Sequence, residues 1–396
     1  FVAGRLPYTV RLWTVPEYVY PGPTPDGSLQ RVNLVIGTKS CAPNLSRIFI
    51  AHQNRTSALY VRCKNCFRIT GGLRMDCGQA MFSFKNKRVL VTGASGFLGT
   101  HIVKALEAKE CRDIVTPRHE QYDLSIEDDV NTLFNNIRPN AVIHASGLVG
   151  GIQANIDRPA NFFYQNLMQG ALLMHYAQKS GVEKFVAVAA ACGYPEHAPI
   201  PLKEENFWDG YPQSWSAPYS LAKRMLVVQA KAYYDQHGFN SVVGIPGNLY
   251  GSADSFNLNS GHVIPSLVRK FVDAVRNGND EVIVWGTGEA TRDFVYVSDV
   301  VDGLLRAAEV YDTPEIVNLS SGVESSIYQV VAMLQIITGF RGKITWDTDK
   351  PNGQLRRCFD VGKARRDLDF TAQVGLADGL TRTVRWYRQN WETARK

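Results

Sequence analysis

VLVTGASGFLGTHIV, residues 89–103, decides the fold. Apolar, β-branched residues run into Gly93, Gly96 and Gly99, and a helical stretch is predicted from about residue 100. A strand, a glycine turn and a helix in that order make a phosphate cradle. Gly93 permits the tight turn, Gly96 lets a pyrophosphate approach the backbone, and Gly99 allows close helix–strand packing. The helix N-terminus then offers amide donors and the positive end of its dipole. The spacing is GxxGxxG rather than GxGxxG, but the physics is shared. Gly93, Ser95, Gly96, Phe97, Leu98 and Gly99 are therefore candidate dinucleotide contacts.

The neighbouring sequence strengthens this reading. RVLVTG (88–93), DIVTP (113–117), AVIHAS (141–146), FVAVAA (185–190) and SVVGIP (241–246) read as strands. Between them, helices are expected around 160–180 and from about 218 to 237. Near-continuous apolar strands alternating with helices imply a parallel sheet covered on both faces. Beyond about residue 250 the order loosens: a helix over 263–277, strands over 282–285 and 293–297, a helix over 299–309, then a mixed tail. The expected architecture is α/β. A Rossmann-type doubly wound parallel sheet occupies 85–250. A smaller C-terminal substrate lobe takes 251–396, with segments returning to the sheet domain, and 1–84 form an irregular extension.

Composition is ordinary for a globular chain of 396 residues, 45% hydrophobic and 20% charged. No run of about 18 apolar residues lacks a charge, so no membrane-spanning helix is expected. The net charge of +6 is unevenly placed: residues 1–82 hold ten basic residues against three acidic ones. The body is electrically balanced, so no nucleic-acid partner is expected for it. Four of the seven cysteines, Cys41, Cys63, Cys66 and Cys77, lie in the extension. They contain one CxxC where a structural zinc site wants two close pairs, so no metal is assigned. Cys111, Cys192 and Cys358 suggest no disulfide framework, which suits a reducing, cytoplasmic setting. The acid-poor, Arg-containing extension also has the composition of a retained organelle leader, though it is not Ser-rich. A docking role towards a protein partner is the other reading of that segment.

APYSLAKRM (217–225) places Tyr219 and Lys223 at i and i+4 on one helical face. A phenol titrates near 10, so a nearby ammonium is expected to lower it and make Tyr219 a usable acid or base beside a carbonyl. After the second strand comes Arg118 rather than an acid, which favours the 2′-phosphate of NADP(H) over NAD. Asp123, in the same loop, is a candidate for the adenine side.

With these features in place, the body resembles the extended short-chain dehydrogenase/reductases, and within them the GDP-L-fucose synthases. The stretches that carry the likeness are LVGGI (148–152), YQNLM (164–168), CGYP (192–195), APYSLAKRM (217–225), GNLYG (247–251), GHVIPSLVRKF (261–271), VWGTGEATRDFVYVSD (284–299) and KPNGQLRR (350–357). The resemblance implies NADPH-dependent 3,5-epimerisation and 4-reduction of GDP-4-keto-6-deoxy-D-mannose. It assigns proton transfer at C3 and C5 to Cys192 and His262, and protonation at the C4 oxygen to Tyr219, with Lys223 assisting. It adds Leu124, Ala145, Pro246, Asn248 and Leu249 to the cofactor contacts. To the sugar nucleotide it gives Asn248, His262, Lys270, Trp285 and Arg292. It also implies a homodimer formed through two long helices, one of them carrying Tyr219.

The resemblance breaks at one chemically important point. The family carries a serine or threonine two residues before the cysteine, where its hydroxyl donates to the C4 oxygen; this chain has Ala190. Gly247, Ser252, Gly261 and Asn352 are further departures. Two other readings therefore stand: a structural subunit of a larger assembly that docks through 1–84, and another nucleotide-sugar epimerase or dehydratase.

Overall fold

The computed structural model describes residues 82–111, 113–258, 261–350 and 353–396, together with the backbone of six strands within residues 1–80. The chain divides into two compact units, Phe1–Ala80 and Met81–Lys396. In the first, β1 (Leu12–Thr14), β2 (Val35–Ser40), β3 (Ser46–His52) and β4 (Arg55–Leu59) form an antiparallel sheet in that order. A separate pair joins β5 (Cys66–Arg68) to β6 (Arg74–Asp76). Strands of three to seven residues are too short for a period to emerge in sequence. Cys41, Cys63 and Cys77, and the side chain of Cys66, lie outside the described residues.

The second unit is built on β7 (Arg88–Thr92), β8 (Asp113–Val115), β9 (Ala141–His144), β10 (Lys184–Val188) and β11 (Ser241–Pro246). The chain then leaves the sheet through β12 (Asn248–Tyr250), β13 (Glu281–Trp285) and β14 (Thr291–Tyr296), and returns as β15 (Ile316–Leu319). The resulting sheet runs β15-β11-β10-β9-β7-β8 with every pairing parallel. Its side chains alternate between two cores, as a period of two requires. Leu90, Phe185, Ala187 and Val243 enter the core shared with α2 (Glu127–Ile137), α4 (Pro159–Lys179) and α5 (Ala217–His237). Val89, Val91, Val186 and Val242 enter the other, against α1 (Phe97–Ala108) and α7 (Val297–Val310). Each such fully buried aliphatic or aromatic side chain contributes ~1.5–3 kcal/mol, so the sheet is the rigid platform on which the site stands.

A third core belongs to the C-terminal lobe. Ile264, Val268, Phe271 and Val272 of α6 (Val263–Asn277) meet Val330, Val331 and Leu334 of α8 (Ile327–Thr338) and Leu380, Val384 and Tyr387 of α10 (Leu376–Gln389). Here β14 pairs with β12, β16 (Glu324–Ser326) and β18 (Arg356–Arg357), while β13 pairs with β17 (Lys343–Asp347).

Several boundaries differ from the sequence expectation, two of them at the site. The first helix starts at Phe97 rather than near 100, because Thr100 N donates to Gly96 O and makes Gly96 the cap. The β10 strand ends at Val188 rather than 190; Ala191–Gly193 form a 3₁₀ turn preceded by Ala190 in extended geometry. Helix α2 was not anticipated. Three acids in its first turn suit the positive end of the helix dipole, and Val130, Leu133 and Phe134 form its buried stripe.

Candidate functional site

The strand order reverses beside β7, with β8 on one side and β9 on the other, and a crevice opens at such a switch point beyond the carboxyl ends of the strands. The glycine turn sits at its mouth. Gly93 has φ +70°, and a Cβ there would lie 2.8 Å from the backbone of Ser146. A Cβ on Gly99 would lie 2.0 Å from Gly93 O, so only glycine lets α1 close on the turn. The α1 N-terminus has no side-chain cap and no acid in its first turn, so its leading amides are offered to an anion. This cradle fits a dinucleotide pyrophosphate. Ala145 lies alongside, its N–H donating to Thr92 O at 3.3 Å.

Farther out, Arg118 is exposed on the loop after β8, the edge that an adenosine ribose would reach. Asp123 is partly committed to its own turn. Its Oδ1 accepts from Ser125 N (2.9 Å) and Ser125 Oγ (2.6 Å), and those bonds hold its carboxyl below the usual range. At the far wall, after β11, Asn248 Oδ1 is buried without a hydrogen-bond partner, as is Asn166 Oδ1 on α4.

Cys192, Tyr219 and Lys223 come together. The thiol stands on the turn after β10, near enough to Tyr219 and Lys223 on α5 to couple to both electrostatically. Phe162 of α4 meets Tyr219 edge-on at 6.1 Å. Lys223 is 5% exposed, and burial lowers its ammonium to about 8. Burial raises the Tyr219 phenol above its ordinary value, reinforced by Cys192. The expected lowering of Tyr219 by Lys223 is not found: desolvation dominates, and the phenol is held protonated. Burial also raises the Cys192 thiol, opposed by Ser220, Arg357 and Lys223. His262 comes from the C-terminal lobe. It is the N-cap residue of α6, makes no side-chain capping bond and reaches solvent, while the protein crowded around it lowers its imidazole.

In the C-terminal lobe, Trp285 at the end of β13 is 52% exposed and carries Lys270 Nζ 5.2 Å and Lys350 Nζ 5.6 Å from its ring centroid. Lys270 Nζ also donates to Ile283 O at 2.8 Å. Arg292 on β14 is paired in register with Arg357 on β18, and burial followed by Arg357 lowers its guanidinium to about 10. Arg357 Nε and Nη2 both donate to Gln354 Oε1, at 3.1 and 2.8 Å, and Gln354 Nε2 donates to Glu196 O. Arg357, Gln354, Gln213 and Glu196 line a small cavity with Cys192. Lys350, Gln354 and Arg357 were not singled out from sequence; all three lie in KPNGQLRR, so the signal was present.

Ala190 and Ala191 bring no hydroxyl to this cavity. Two other departures have steric causes. A Cβ on Gly247 would lie 1.9 Å from Ser320 Oγ, and one on Gly261 2.4 Å from Asn257 O. Ser252 O accepts from His101 Nε2 at 2.9 Å, and Asn352 lies outside the described residues.

Comparison with known proteins agrees with the geometry. Residues 89–320 match the NAD dependent epimerase/dehydratase family. GDP-L-fucose synthase 1 of Arabidopsis thaliana is 36% identical over 308 residues, covering 78% of this chain and 95% of its own. A GDP-L-fucose synthase of Sinorhizobium fredii is 37% identical over 310 residues, 78% of this chain and 98% of its own. Among solved structures, a GDP-L-fucose synthetase from Naegleria fowleri bound to NADP superposes with a TM-score of 0.74 at 28% identity, covering 80% of this chain and 98% of that one. The chain belongs to the NAD dependent epimerase/dehydratase family, alongside the GDP-L-fucose synthases.

Proposed function

We propose that this protein is an NADP(H)-dependent nucleotide-sugar epimerase/reductase that converts GDP-4-keto-6-deoxy-D-mannose to GDP-L-fucose. The observation that carries the reading is the joint placement of a thiol, a phenol and an ammonium, Cys192, Tyr219 and Lys223, next to the β7 crevice and its glycine cradle. NADPH, when bound, supplies the hydride for C4. Cys192 in its thiolate form removes an α-proton beside the ketone, and His262 exchanges the proton on the opposite face. Tyr219, kept protonated, delivers its proton to the C4 oxygen, and Lys223 holds the nicotinamide ribose. The cradle of Gly93, Gly96 and Gly99 holds the pyrophosphate, and Arg118 the 2′-phosphate. Arg292 and Lys270 take the GDP diphosphate, and Trp285 offers a face to the base.

Among the described residues no helix is long and apolar enough to cross a membrane, and Cys111, Cys192 and Cys358 are unpaired thiols, in keeping with a reducing compartment such as the cytoplasm. A homodimer is supported by apolar side chains left exposed on the two long helices: Phe163 and Tyr164 on α4, Met225 and Val228 on α5. The test is NADPH oxidation with GDP-4-keto-6-deoxymannose alongside UDP-sugars. Turnover on the GDP-sugar alone is expected. Turnover on UDP-sugars alone would move the assignment to another epimerase or dehydratase. Tight NADPH binding with no turnover on either would favour a structural subunit.

A further inference from the structure

Arg224, one residue past Lys223 on α5, is only 5% exposed. A buried guanidinium is costly unless its donors are used, and a carboxylate is its ordinary partner. Among the described residues Arg224 makes no ion pair, and its hydrogen bonds run to main-chain carbonyls instead. Nε donates to Gly193 O at 2.6 Å and Nη1 to Gly210 O at 2.9 Å, while Nη2 is buried without a partner. The guanidinium also meets two rings, its Cζ 5.3 Å from the Phe207 centroid and 5.5 Å from that of Trp208. Gly193 follows Cys192 on the 3₁₀ turn after β10, and a Cβ there would lie 2.9 Å from the Phe207 ring, so the turn sits directly on that ring. Gly210 leads into Gln213, which lines the small cavity with Cys192. One side chain therefore ties two walls of that cavity to the helix that carries Tyr219 and Lys223.

We propose that Arg224 is a positioning residue for Cys192: its clamp on two carbonyls fixes the turn after β10 against α5 and so sets the thiol at its working distance from Tyr219 and Lys223. The catalytic part of the claim rests on the epimerase reading above. Proton abstraction needs the sulfur aimed at one carbon, and a misplacement of about 1 Å can cost ~10²-fold in rate. A three-residue 3₁₀ turn is a weak frame for that aim. Its own bonds are Gly193 N to Ala190 O at 2.9 Å and Tyr194 N to Ala191 O at 3.2 Å. Beyond it, Tyr194 OH donates to Asn318 Oδ1 at 2.7 Å and pins the outgoing chain. Arg224 supplies the missing hold at Gly193 itself, through a charged donor that is roughly twice as strong as a neutral one. The fork matters as much as the charge. A planar guanidinium can reach two carbonyls at once and stack on aromatic faces, whereas an ammonium acts as a point charge.

The test is made on the full-length chain with two variants. Arg224→Met removes the charge and the donors but keeps an apolar stem, and Arg224→Lys keeps the charge without the fork. Hydrogen–deuterium exchange, followed by mass spectrometry with no sugar present, is expected to quicken by about ten- to hundredfold at the Gly193 and Tyr194 amides in Arg224→Met, and by less in Arg224→Lys. NADPH affinity and exchange at the β7–α1 turn are expected to stay at wild-type values, which reports that both variants are folded. With GDP-4-keto-6-deoxymannose in D₂O, kcat for label entry at C3 and C5 is expected to fall by ~10²-fold in Arg224→Met with KM unchanged, and to recover in part in Arg224→Lys. Wild-type exchange at the turn in both variants would overturn the clamp, and a quickened turn with unchanged kcat would overturn its role in placing Cys192. Absence of label from the wild-type reaction would count against the epimerase reading alone, since the exchange arm involves no sugar.

Discussion

Two turns leave the same sheet and meet at one crevice, yet they are built on opposite principles. The β7–α1 turn is specified by backbone. Side chains at Gly93 and Gly99 would collide with main-chain atoms, of Ser146 after β9 and of the turn itself, so glycines in the local sequence permit its shape. The turn after β10 is specified by partners brought from elsewhere: Arg224 from α5, which donates to Gly193 O, and Arg357, which shares a cavity with Cys192, from a strand more than 150 residues on. A phosphate cradle needs close approach and amides, which glycine supplies wherever the strand–turn–helix order recurs. A proton-transfer site needs a particular charge environment, and tertiary contacts have to assemble it. The first turn therefore tolerates little change within it, and the second depends on distant residues to keep its shape.

The sharpest way to break this contrast is at the phenol. Tyr219→Phe is expected to lower kcat by ~10²–10⁴ while NADPH affinity stays unchanged, compared by stopped-flow reduction and fluorescence titration. A matching loss of NADPH affinity would show that the two turns are not separable. Next in size is Ala190→Ser. Restoring a donor to the C4 oxygen is expected to raise the reduction rate by up to ~10²–10³, and an unchanged rate would mean that Tyr219 already meets that oxygen's whole demand. Steric identity is tested at Gly247→Thr, which forces Ser320 aside and is expected to destabilise the fold by ~1–3 kcal/mol; the further change Ser320→Gly is expected to relieve it, read by denaturant unfolding. The smallest effect concerns pH. Lys223 titrates near about 8, so its ammonium is present below that value and lost above it. NADPH affinity of the enzyme should fall as pH rises through about 8, and Lys223→Arg should abolish that limb.

Much of this was legible in the sequence, for reasons that differ by region. Apolar strands and the glycine spacing exposed the sheet because parallel strands buried on both faces carry an unbroken signal. Helix 263–277 was read to the residue, since its apolar stripe is steep and Gly278 ends it in left-handed geometry. Helix α2 was missed because its first turn is EDD, a charge cluster that hides three buried residues behind it. Tyr219 and Lys223 were visible from helical spacing. The direction of the Tyr219 shift was not, because desolvation depends on Phe162 and the surrounding helices rather than on the adjacent lysine.

The most direct test of the account is turnover of GDP-4-keto-6-deoxymannose with NADPH in D₂O, following label in the product by mass spectrometry and NMR. Deuterium at both C3 and C5, accompanied by stoichiometric NADPH oxidation and abolished by Cys192→Ala, is predicted. A protein that binds NADPH tightly yet leaves both carbons unlabelled and the cofactor reduced would contradict it.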